Sequence, residues 1–284
     1  MDGPLLIYSS WIVSPRCSIY DLKMNKFFCV LLLVISTASF ANSWKEQIIE
    51  DAKTIYAPLS ITTFNKPLYF QTSESQTVGG SAHHEVSHLA VVIDKGLLET
   101  SRLTPDGFRM IVCHELGHLF GGSPRRHAPP EWDGPVAHDG LSLMTSEGQA
   151  DYYASLVCFR KMLQLESPES PRPDIKRVGP RLKRKCQEEA GFKGQELEMC
   201  LRAGLAGEDF LKVVFDFPIS CEKFDDSITP HLIRDMYPGR QCRLDTIVSG
   251  ALCSEEQPFV LDFNLMGNNS CGQQYAERPS CWYK

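Results

Sequence analysis

The most regular spacing of apolar positions in the chain lies between residues 104 and 120. Thr104, Pro105 and Asp106 form a helix start, with a capping hydroxyl, a proline at the first helical position and an acidic first turn. The segment Gly121-Gly122-Ser123-Pro124 is expected to end the helix. Between these signals, apolar side chains recur at helical spacing, at Phe108, Ile111, Val112, Leu116 and Leu119.

Other segments have patterns that predict further elements. Residues 44–57 repeat apolar side chains at helical spacing, and Pro58 is expected to end that helix. Leu68-Tyr69-Phe70 and the apolar run at 88–93 predict strands. Residues 146–165 predict a second long helix, whose inward-facing side chains are Ala150, Tyr153, Ala154, Val157, Cys158 and Met162.

The start of the chain has the pattern of an export signal. Met24-Asn25-Lys26 is a short positive segment, residues 27–35 are apolar, and Ser39-Phe40-Ala41 has the small-x-small form of a cleavage site. Residues 24–41 are therefore predicted to be a secretory signal peptide, too short for a stable membrane span. Residues 1–23 are then an extension placed before the true start, and an N-terminal membrane anchor is the alternative. The mature chain is expected to be secreted or periplasmic, with no integral membrane span.

A linker is predicted at 167–185, where three prolines within six residues cannot continue a helix. It separates the region 42–166 from a C-terminal region at 186–284. The C-terminal region holds seven of the nine cysteines that follow the predicted signal peptide. This density predicts disulfides formed in an oxidising compartment.

The number of cysteines also constrains their pairing. Nine is odd, so at least one thiol is expected to stay free or to pair between chains, and Cys113 or Cys158 is the expected one. Cys113 is expected to be a packed core thiol, the alternative being a regulatory metal ligand. Sequence does not fix the pairs, and those considered are Cys186–Cys200, Cys221–Cys242, and Cys253 with Cys271 or Cys281.

Composition and charge exclude some functions. The chain has 284 residues, of which 43% are hydrophobic, so it can bury a sizeable core. Its net charge is −6 and it has no basic block, which argues against nucleic acid as a partner.

The candidate chemistry lies near the end of the first predicted helix, in His114-Glu115-Leu116-Gly117-His118. Positions i and i+4 of a helix share a face, so both imidazoles can reach one metal ion. Glu115 lies beside them and can act as a general base toward a water molecule. The alternative is a pair of exposed histidines with a solvated glutamate.

A catalytic zinc site needs a third protein ligand. The pattern HExxHxxGxxH would place it at Pro124, which cannot bind a metal. Glu147 is the better candidate, because it follows the capping residues of the second helix. Asp151 shares its face and can accept the outer N–H of a ligand histidine. The alternative is an acidic pair on a solvated helix face.

This combination of motifs resembles the gluzincin metallopeptidases, and most of all the HtpX-type family, over roughly residues 45–165. HELGH, the downstream pair Glu147 and Asp151, and the strand ending in Gly-Leu-Leu at 89–98 carry the resemblance. It implies an α+β protein with a zincin-like core, in which a small mixed sheet accompanies two zinc-bearing helices. A small, disulfide-rich and mainly helical C-terminal region would follow. The residues implied for one Zn²⁺ per chain are His114, His118 and Glu147 as ligands, Glu115 as base and Asp151 as support. Membrane-bound members carry transmembrane helices around this core and this chain does not, so the soluble members are the fair comparison.

Several other histidines are weighed as parts of the site. In zincins the strand beside the zinc helix is typically an edge strand to which an extended substrate adds, so residues 88–93 are expected to border the cleft. His88 is then a candidate for substrate contact, and with His83 and His84 it raises the alternative of a second metal site. The long connection at 123–146 is expected to form a cleft wall. His138 there, or the later His231, is considered as the group that stabilises the oxyanion, the alternative in each case being a surface histidine.

The sequence therefore predicts an exported zinc endopeptidase that acts on protein or peptide substrates. One alternative is a non-catalytic binding or chaperone protein built on the same scaffold, although the intact Glu115 argues against it. The other is a zinc amidase that acts on a cell-wall crosslink.

Overall fold

The computed structural model describes residues 26–130, 132, 134–167, 170–264 and 269–284, with the backbone alone for 26–43. Ala41–Lys284 forms one compact unit, which contains both sheets. The predicted extension at 1–23, and the side chains of the predicted signal peptide at 24–41, lie outside the described residues. Within the described part, no helix is long and apolar enough to cross a membrane.

The protein has a mixed α+β architecture with small sheets, as predicted. The helices and strands up to the first sheet are α1 (Lys26–Phe64), β1 (Leu68–Ser73), β2 (Gly80–His84), β3 (Leu89–Asp94) and α2 (Lys95–Glu99). The next are α3 (Pro105–Phe120), β4 (Arg125–His127), β5 (Leu141–Thr145), α4 (Glu147–Tyr153) and α5 (Phe159–Leu163). The last are α6 (Pro180–Arg184), α7 (Gly194–Phe215) and α8 (Arg240–Ala251).

Helix α1 continues past the predicted stop at Pro58 and ends at Phe64, so that prediction is wrong. A proline inside a helix removes one backbone hydrogen bond and crowds the preceding turn. Pro58 is exposed, whereas Tyr56 and Ser60 on either side are buried. Core packing on that face therefore continues through the proline, and Asn65, with a positive φ of 52°, ends the helix.

The three-stranded sheet has the order β1-β3-β2, with β1 parallel and β2 antiparallel to β3. Strand β3 was predicted to be the edge strand beside the cleft, and the structure makes it the central one. Its continuous apolar sequence is typical of a strand covered on both faces. The edge strand is β2, in which Gly80 pairs with Ile93 and His84 with Leu89. Its sequence has no apolar alternation, which is why the sequence analysis predicted no strand there.

The connection at 123–146 contains a second, two-stranded sheet formed by β4 and β5. Ser146 N donates to Pro124 O, so the end of the connection returns to its start beside α3. The connection is therefore partly regular, whereas the sequence predicted no element in it.

Helix α3 agrees closely with its prediction. The Thr104 hydroxyl accepts a hydrogen bond from Gly107 N at 3.1 Å, and Gly121 is the C-cap. The helix is buried on every side rather than along one stripe, because the sheet, α4 and α7 all pack against it. A Cβ at Gly117 would lie 2.7 Å from Ala150 O, so glycine allows α3 and α4 to approach closely.

The second long helix runs from Glu147 to Leu163, and all six side chains predicted to face inward are buried. A π-helical turn at Ala154–Cys158 joins α4 to α5. The predicted linker at 167–185 contains a 3-10 turn at Ile175–Arg177 and α6. Beyond it, α7 packs against α3, and α8 packs against α4 and α7. The C-terminal helices thus share one hydrophobic core with the sheet and α3.

The disulfides confirm part of the predicted pairing. Cys186–Cys200 and Cys253–Cys271 form as considered. The pairing of Cys221 with Cys242 is wrong, because Cys242 bonds to Cys281 and leaves Cys221 as the buried free thiol of the described residues. Cys113 and Cys158 were expected to supply the free thiol, and they bond to each other. They come together because α3 packs against the π-helical turn, a contact between helices that spacing does not give.

Candidate metal centre

Helices α3 and α4 bring three side chains with ligand atoms to one point. Glu147 Oε2 lies 3.3 Å from His114 Nε2, and Glu147 Oε1 lies 3.5 Å from His118 Nε2. All three side chains are buried. The group could hold a metal ion, and these are the three ligands that the sequence analysis named.

Hydrogen bonds and close polar contacts orient both imidazole rings. His118 Nδ1 lies 2.8 Å from Thr145 O, and because a carbonyl only accepts, Nδ1 is the donor. His114 Nδ1 lies 2.9 Å from Asp151 Oδ1, in the position predicted for that carboxylate. Each ring thus has its outer nitrogen against an acceptor, and its Nε2 is left to face Glu147.

The carboxylate of Glu147 fits a cation. Glu147 Oε2 is buried and has no hydrogen-bond partner among the described residues. Although His114 Nε2 and Arg243 Nη2 lie near it, a buried carboxylate oxygen without a hydrogen bond is costly, and a metal ion would satisfy it. Two imidazole nitrogens and a carboxylate oxygen are also a donor set that divalent transition metals accept.

Arg243, an arginine that the sequence analysis missed, fixes the carboxylate of Asp151 in this arrangement. Arg243 of α8 donates from Nε and Nη2 to the two oxygens of Asp151, at 2.6 and 2.8 Å. Arg243 Nη2 also lies 3.4 Å from His114 Nε2 and 3.8 Å from Glu147 Oε2. The rings of Phe210, Phe215 and Tyr237 surround the guanidinium at 5.3–5.5 Å. A bidentate, enclosed pair of this kind fixes the Asp151 carboxylate and, through it, the His114 ring.

A signal for Arg243 was present in the sequence. It occupies a position among apolar residues in α8, and an arginine on a buried helix face needs a carboxylate partner. The sequence did not reveal which carboxylate that would be, because 92 residues separate Arg243 from Asp151.

The pKa values follow from burial and these charges. Burial lowers the pKa of His118 to about 3, whereas for His114 the Asp151 carboxylate outweighs burial and raises the pKa to about 9. Burial acts to raise the pKa of Glu147, but the two histidines and Arg243 hold it below its usual range. A metal ion would compete with the proton for His114 Nε2, so metal affinity should fall with acidity.

Glu115 lies at the border between the cluster and the edge strand. Burial raises the pKa of Glu115 to about 7. A Cβ built on Gly80 of β2 would lie 3.6 Å from Glu115 Oε1, so the backbone of the edge strand passes directly beside this carboxylate. Asp94 N donates to Gly79 O, and main-chain direction alternates along a strand, so the N–H and C=O groups of Gly80 and Ala82 face away from β3. Within the described residues, those groups have no hydrogen-bond partner.

Two side chains at the mouth of the cluster were also missed by the sequence analysis. Arg126 of β4 contacts Glu147 Oε1 through Nη2, and 32% of its side chain is exposed. Tyr237 is exposed and stacks on Arg243. Although part of Tyr237 is open to solvent, desolvation of its phenol beside the cluster, and then the nearby Glu147 carboxylate, raise its pKa above the ordinary value, so the phenol is protonated at neutral pH.

The other histidines that the sequence analysis considered are not part of the metal cluster. His88 packs against Tyr69 of β1, on the opposite side of β3 from β2. His138 and His231 are exposed and make no described contact with the cluster. His84 is buried against Phe64, and His83 is exposed and hydrogen-bonded to Ser81.

Two further groups bring potential ligands together, and neither is available to a metal ion. Asp225 lies near Cys242 and Cys281, and Glu255 lies near Cys253 and Cys271. In both groups the two cysteines are bonded to each other as a disulfide, so no thiolate remains.

Comparisons of the chain with protein-family models, with curated proteins and with solved structures found no match. The interpretation of the site therefore rests on its own geometry, and the resemblance to HtpX-type peptidases stays a prediction from the motifs.

Proposed function

We propose that the protein is a zinc-dependent endopeptidase of zincin-like architecture. The observation that carries the proposal is the convergence of His114, His118 and Glu147 on one point, with Glu115 on the same helix beside them. Neighbouring ligands of a tetrahedral zinc ion with bonds of about 2.0–2.1 Å lie roughly 3.4 Å apart. The two contacts of Glu147 with the imidazoles, at 3.3 and 3.5 Å, match that separation.

In this proposal the three side chains hold the ion, while Asp151 and Arg243 hold the ligands. A zinc ion bound there supplies Lewis acidity toward a water molecule and a substrate carbonyl. Glu115 accepts the proton of the attacking water at its carboxylate and passes it to the leaving amine.

Tyr237 is the group we assign to the carbonyl oxygen. Its phenol is protonated, it lies at the mouth of the cluster, and its ring stacks on the fixed Arg243. A hydrogen bond from the phenol would strengthen as negative charge develops on that oxygen. Tyr237→Phe is expected to lower kcat by roughly 10²-fold without changing bound zinc, because it removes one such donor. Tyr69→Phe, on an exposed tyrosine of β1, is the control, and equal activity of both variants would contradict the assignment.

The edge strand β2 supplies a place for an extended substrate. The outward N–H and C=O groups of Gly80 and Ala82 can pair with a peptide backbone as an added strand does. Because Gly80 lies beside Glu115, a peptide paired there would pass the base. This supports an extended polypeptide as the substrate, over the alternative of a compact cell-wall crosslink.

The experiment that tests the proposal measures metal and hydrolysis together. The chain from residue 42 onward is produced with its disulfides, and its zinc content is determined by elemental mass spectrometry. Hydrolysis of a mixed peptide library is followed by mass spectrometry. We expect about one zinc per chain and cleavage of internal peptide bonds, and both should be lost in Glu147→Ala because the third ligand is gone.

The control for this experiment is Glu46→Ala, which removes an exposed carboxylate of α1 and should change neither measurement. Zinc retained in Glu147→Ala would place the third ligand elsewhere. One zinc per chain without any peptide cleavage would favour the binding-protein alternative, and cleavage of a peptide crosslink alone would favour the amidase.

A further inference from the structure

We infer that Arg126 binds a substrate carboxylate next to the scissile bond, so that the protein selects acidic peptides or free chain ends. This inference rests on the proposed function and names the substrate class of the same site. The first observation is the contrast between Arg126 and its neighbour Arg125 on strand β4.

The pairing of β4 is irregular between Arg125 and His127, and the two arginines have different surroundings. Arg125 faces inward, where it is 2% exposed and contacts Asp139 and Ser142 O. Arg126 faces the metal cluster and is 32% exposed. Its Nη2 contacts Glu147 Oε1, and among the described residues no hydrogen bond engages its Nη1. Arg126 therefore has donors left for a ligand.

The charge of the site gives the sign of that ligand. Glu115, Glu147 and Asp151 carry three negative charges when ionised, and Arg126 and Arg243 carry two positive ones. The five groups sum to −1, and a divalent ion, which binds His114 and His118 in their neutral form, changes the charge of the site to +1. Both oxygens of Asp151 bind Arg243 and balance its charge. Arg126 therefore carries the positive charge that remains for a ligand.

Glu147 cannot serve as a full counterion to Arg126 once it is a metal ligand, because its charge is then shared with the ion. A guanidinium with a partly exposed fork binds carboxylates in preference to other peptide groups, through two parallel hydrogen bonds. The position of Arg126 against the third ligand places such a carboxylate within a residue or two of the bond to be cleaved. An Asp or Glu side chain and a C-terminal carboxylate share this chemistry.

The test measures binding separately from hydrolysis. Zinc-loaded Glu115→Gln protein is titrated into three pools of fluorescein-labelled octapeptides, and binding is followed by anisotropy. The first pool contains neutral residues and a C-terminal amide, the second adds one Asp or Glu at varied positions, and the third has a free carboxylate. We expect the second or third pool to bind roughly 10-fold or more tightly than the first.

Three substitutions in the Glu115→Gln background show whether Arg126 is responsible. Arg126→Gln is expected to remove the preference, and Arg126→Lys to keep part of it because the charge stays and the fork is lost. Arg177→Gln removes an arginine whose side chain is 87% exposed, and should have no effect. Zinc content and unfolding midpoints are measured for each variant, and Arg126→Lys keeps the test valid if Arg126→Gln does not fold.

The outcomes separate this inference from the proposed function. A preference for the second pool identifies a side chain as the ligand, and a preference for the third identifies the chain end. Equal binding of all pools, or a preference that survives Arg126→Gln, would overturn the inference even if the wild type cleaves peptides. Preference that depends on Arg126, with no cleavage of any pool by the zinc-loaded wild type, would support carboxylate binding by Arg126 and refute the peptidase, and with it the placement beside a scissile bond.

Discussion

Two buried ionic clusters join α3 to segments that follow it, and they differ in whether all their carboxylate oxygens accept hydrogen bonds. The first, the helix-start cluster, consists of Asp106, Arg109, Glu166 and Arg202. The second, the metal-site cluster, consists of His114, His118, Glu147, Asp151 and Arg243. In the helix-start cluster every carboxylate oxygen accepts from a guanidinium, for example Asp106 Oδ2 from Arg202 Nε at 2.8 Å. In the metal-site cluster, Glu147 Oε2 has no hydrogen-bond partner among the described residues.

The difference gives a criterion that distinguishes a cluster that could hold a metal ion from a structural one of equal burial. Asp106, Glu166 and Arg202 are as deeply buried as His114 and Glu147. The acceptors of the helix-start cluster are all satisfied within the cluster, so they need no cation from outside. The metal-site cluster contains two histidines whose inner nitrogens face a carboxylate, and it leaves an oxygen for a ligand to satisfy. Ligand atoms without hydrogen bonds, rather than burial or charge, distinguish the cluster that could hold a metal ion.

The largest effect is expected from Glu115→Gln, which should lower kcat by roughly 10²–10⁴-fold because it removes the proposed general base. Zinc content and the unfolding midpoint should stay close to wild type, since Glu115 is not among the three converging ligands. Peptide hydrolysis and elemental mass spectrometry check both points. Glu99→Gln, at an exposed position of α2, is the control, and an active Glu115→Gln enzyme would remove the base from the mechanism.

Arg202→Met and Arg243→Met compare the two clusters directly. Each removes a buried guanidinium and leaves a buried carboxylate without its partner, so each should lower the free energy of unfolding by about 3–5 kcal/mol. Only Arg243→Met should also weaken zinc binding, by roughly 10–100-fold, because Asp151 loses the group that fixes it. Urea unfolding and zinc competition with a chelator measure the two quantities. Equal zinc loss in both variants would mean that the effect is general destabilisation.

The part of this site that could be predicted from the sequence is the part encoded within one or two helices. The pair of histidines and Glu115 follow from the period of α3, and the helix ends follow from Thr104 and Gly121. Glu147 could be predicted because it opens the next helix of the chain with a partner, Asp151, on the same face. Each of these signals depends on spacing of a few residues.

The remainder depends on contacts between distant segments. Arg243 comes from α8, Arg126 from a three-residue strand, and Tyr237 from an irregular segment, and none lies in a periodic pattern that includes the ligands. Contacts between distant segments also explain why the disulfide Cys113–Cys158 was not predicted. They explain equally why β2, and not β3, is the edge strand of the sheet. A strand such as Gly80–His84 is fixed by its partner rather than by its own residues, so propensity does not reveal it.

The smallest of these effects is expected from a matched pair of carboxylates, Asp106→Asn and Asp151→Asn. Each change keeps the side-chain shape, removes one negative charge and turns an amide toward a guanidinium. Asp106→Asn should lower the free energy of unfolding by about 1–3 kcal/mol and leave zinc affinity unchanged, because its partners Arg109 and Arg202 do not touch the ligands. Asp151→Asn should instead lower zinc affinity roughly 10-fold or more, since the amide oxygen is a weaker acceptor for His114 Nδ1 than the carboxylate. Competition with a chelator measures the zinc affinity of both variants. If Asp106→Asn loses as much zinc as Asp151→Asn, the distinction between a cluster with satisfied acceptors and a ligand-binding one does not hold in this protein.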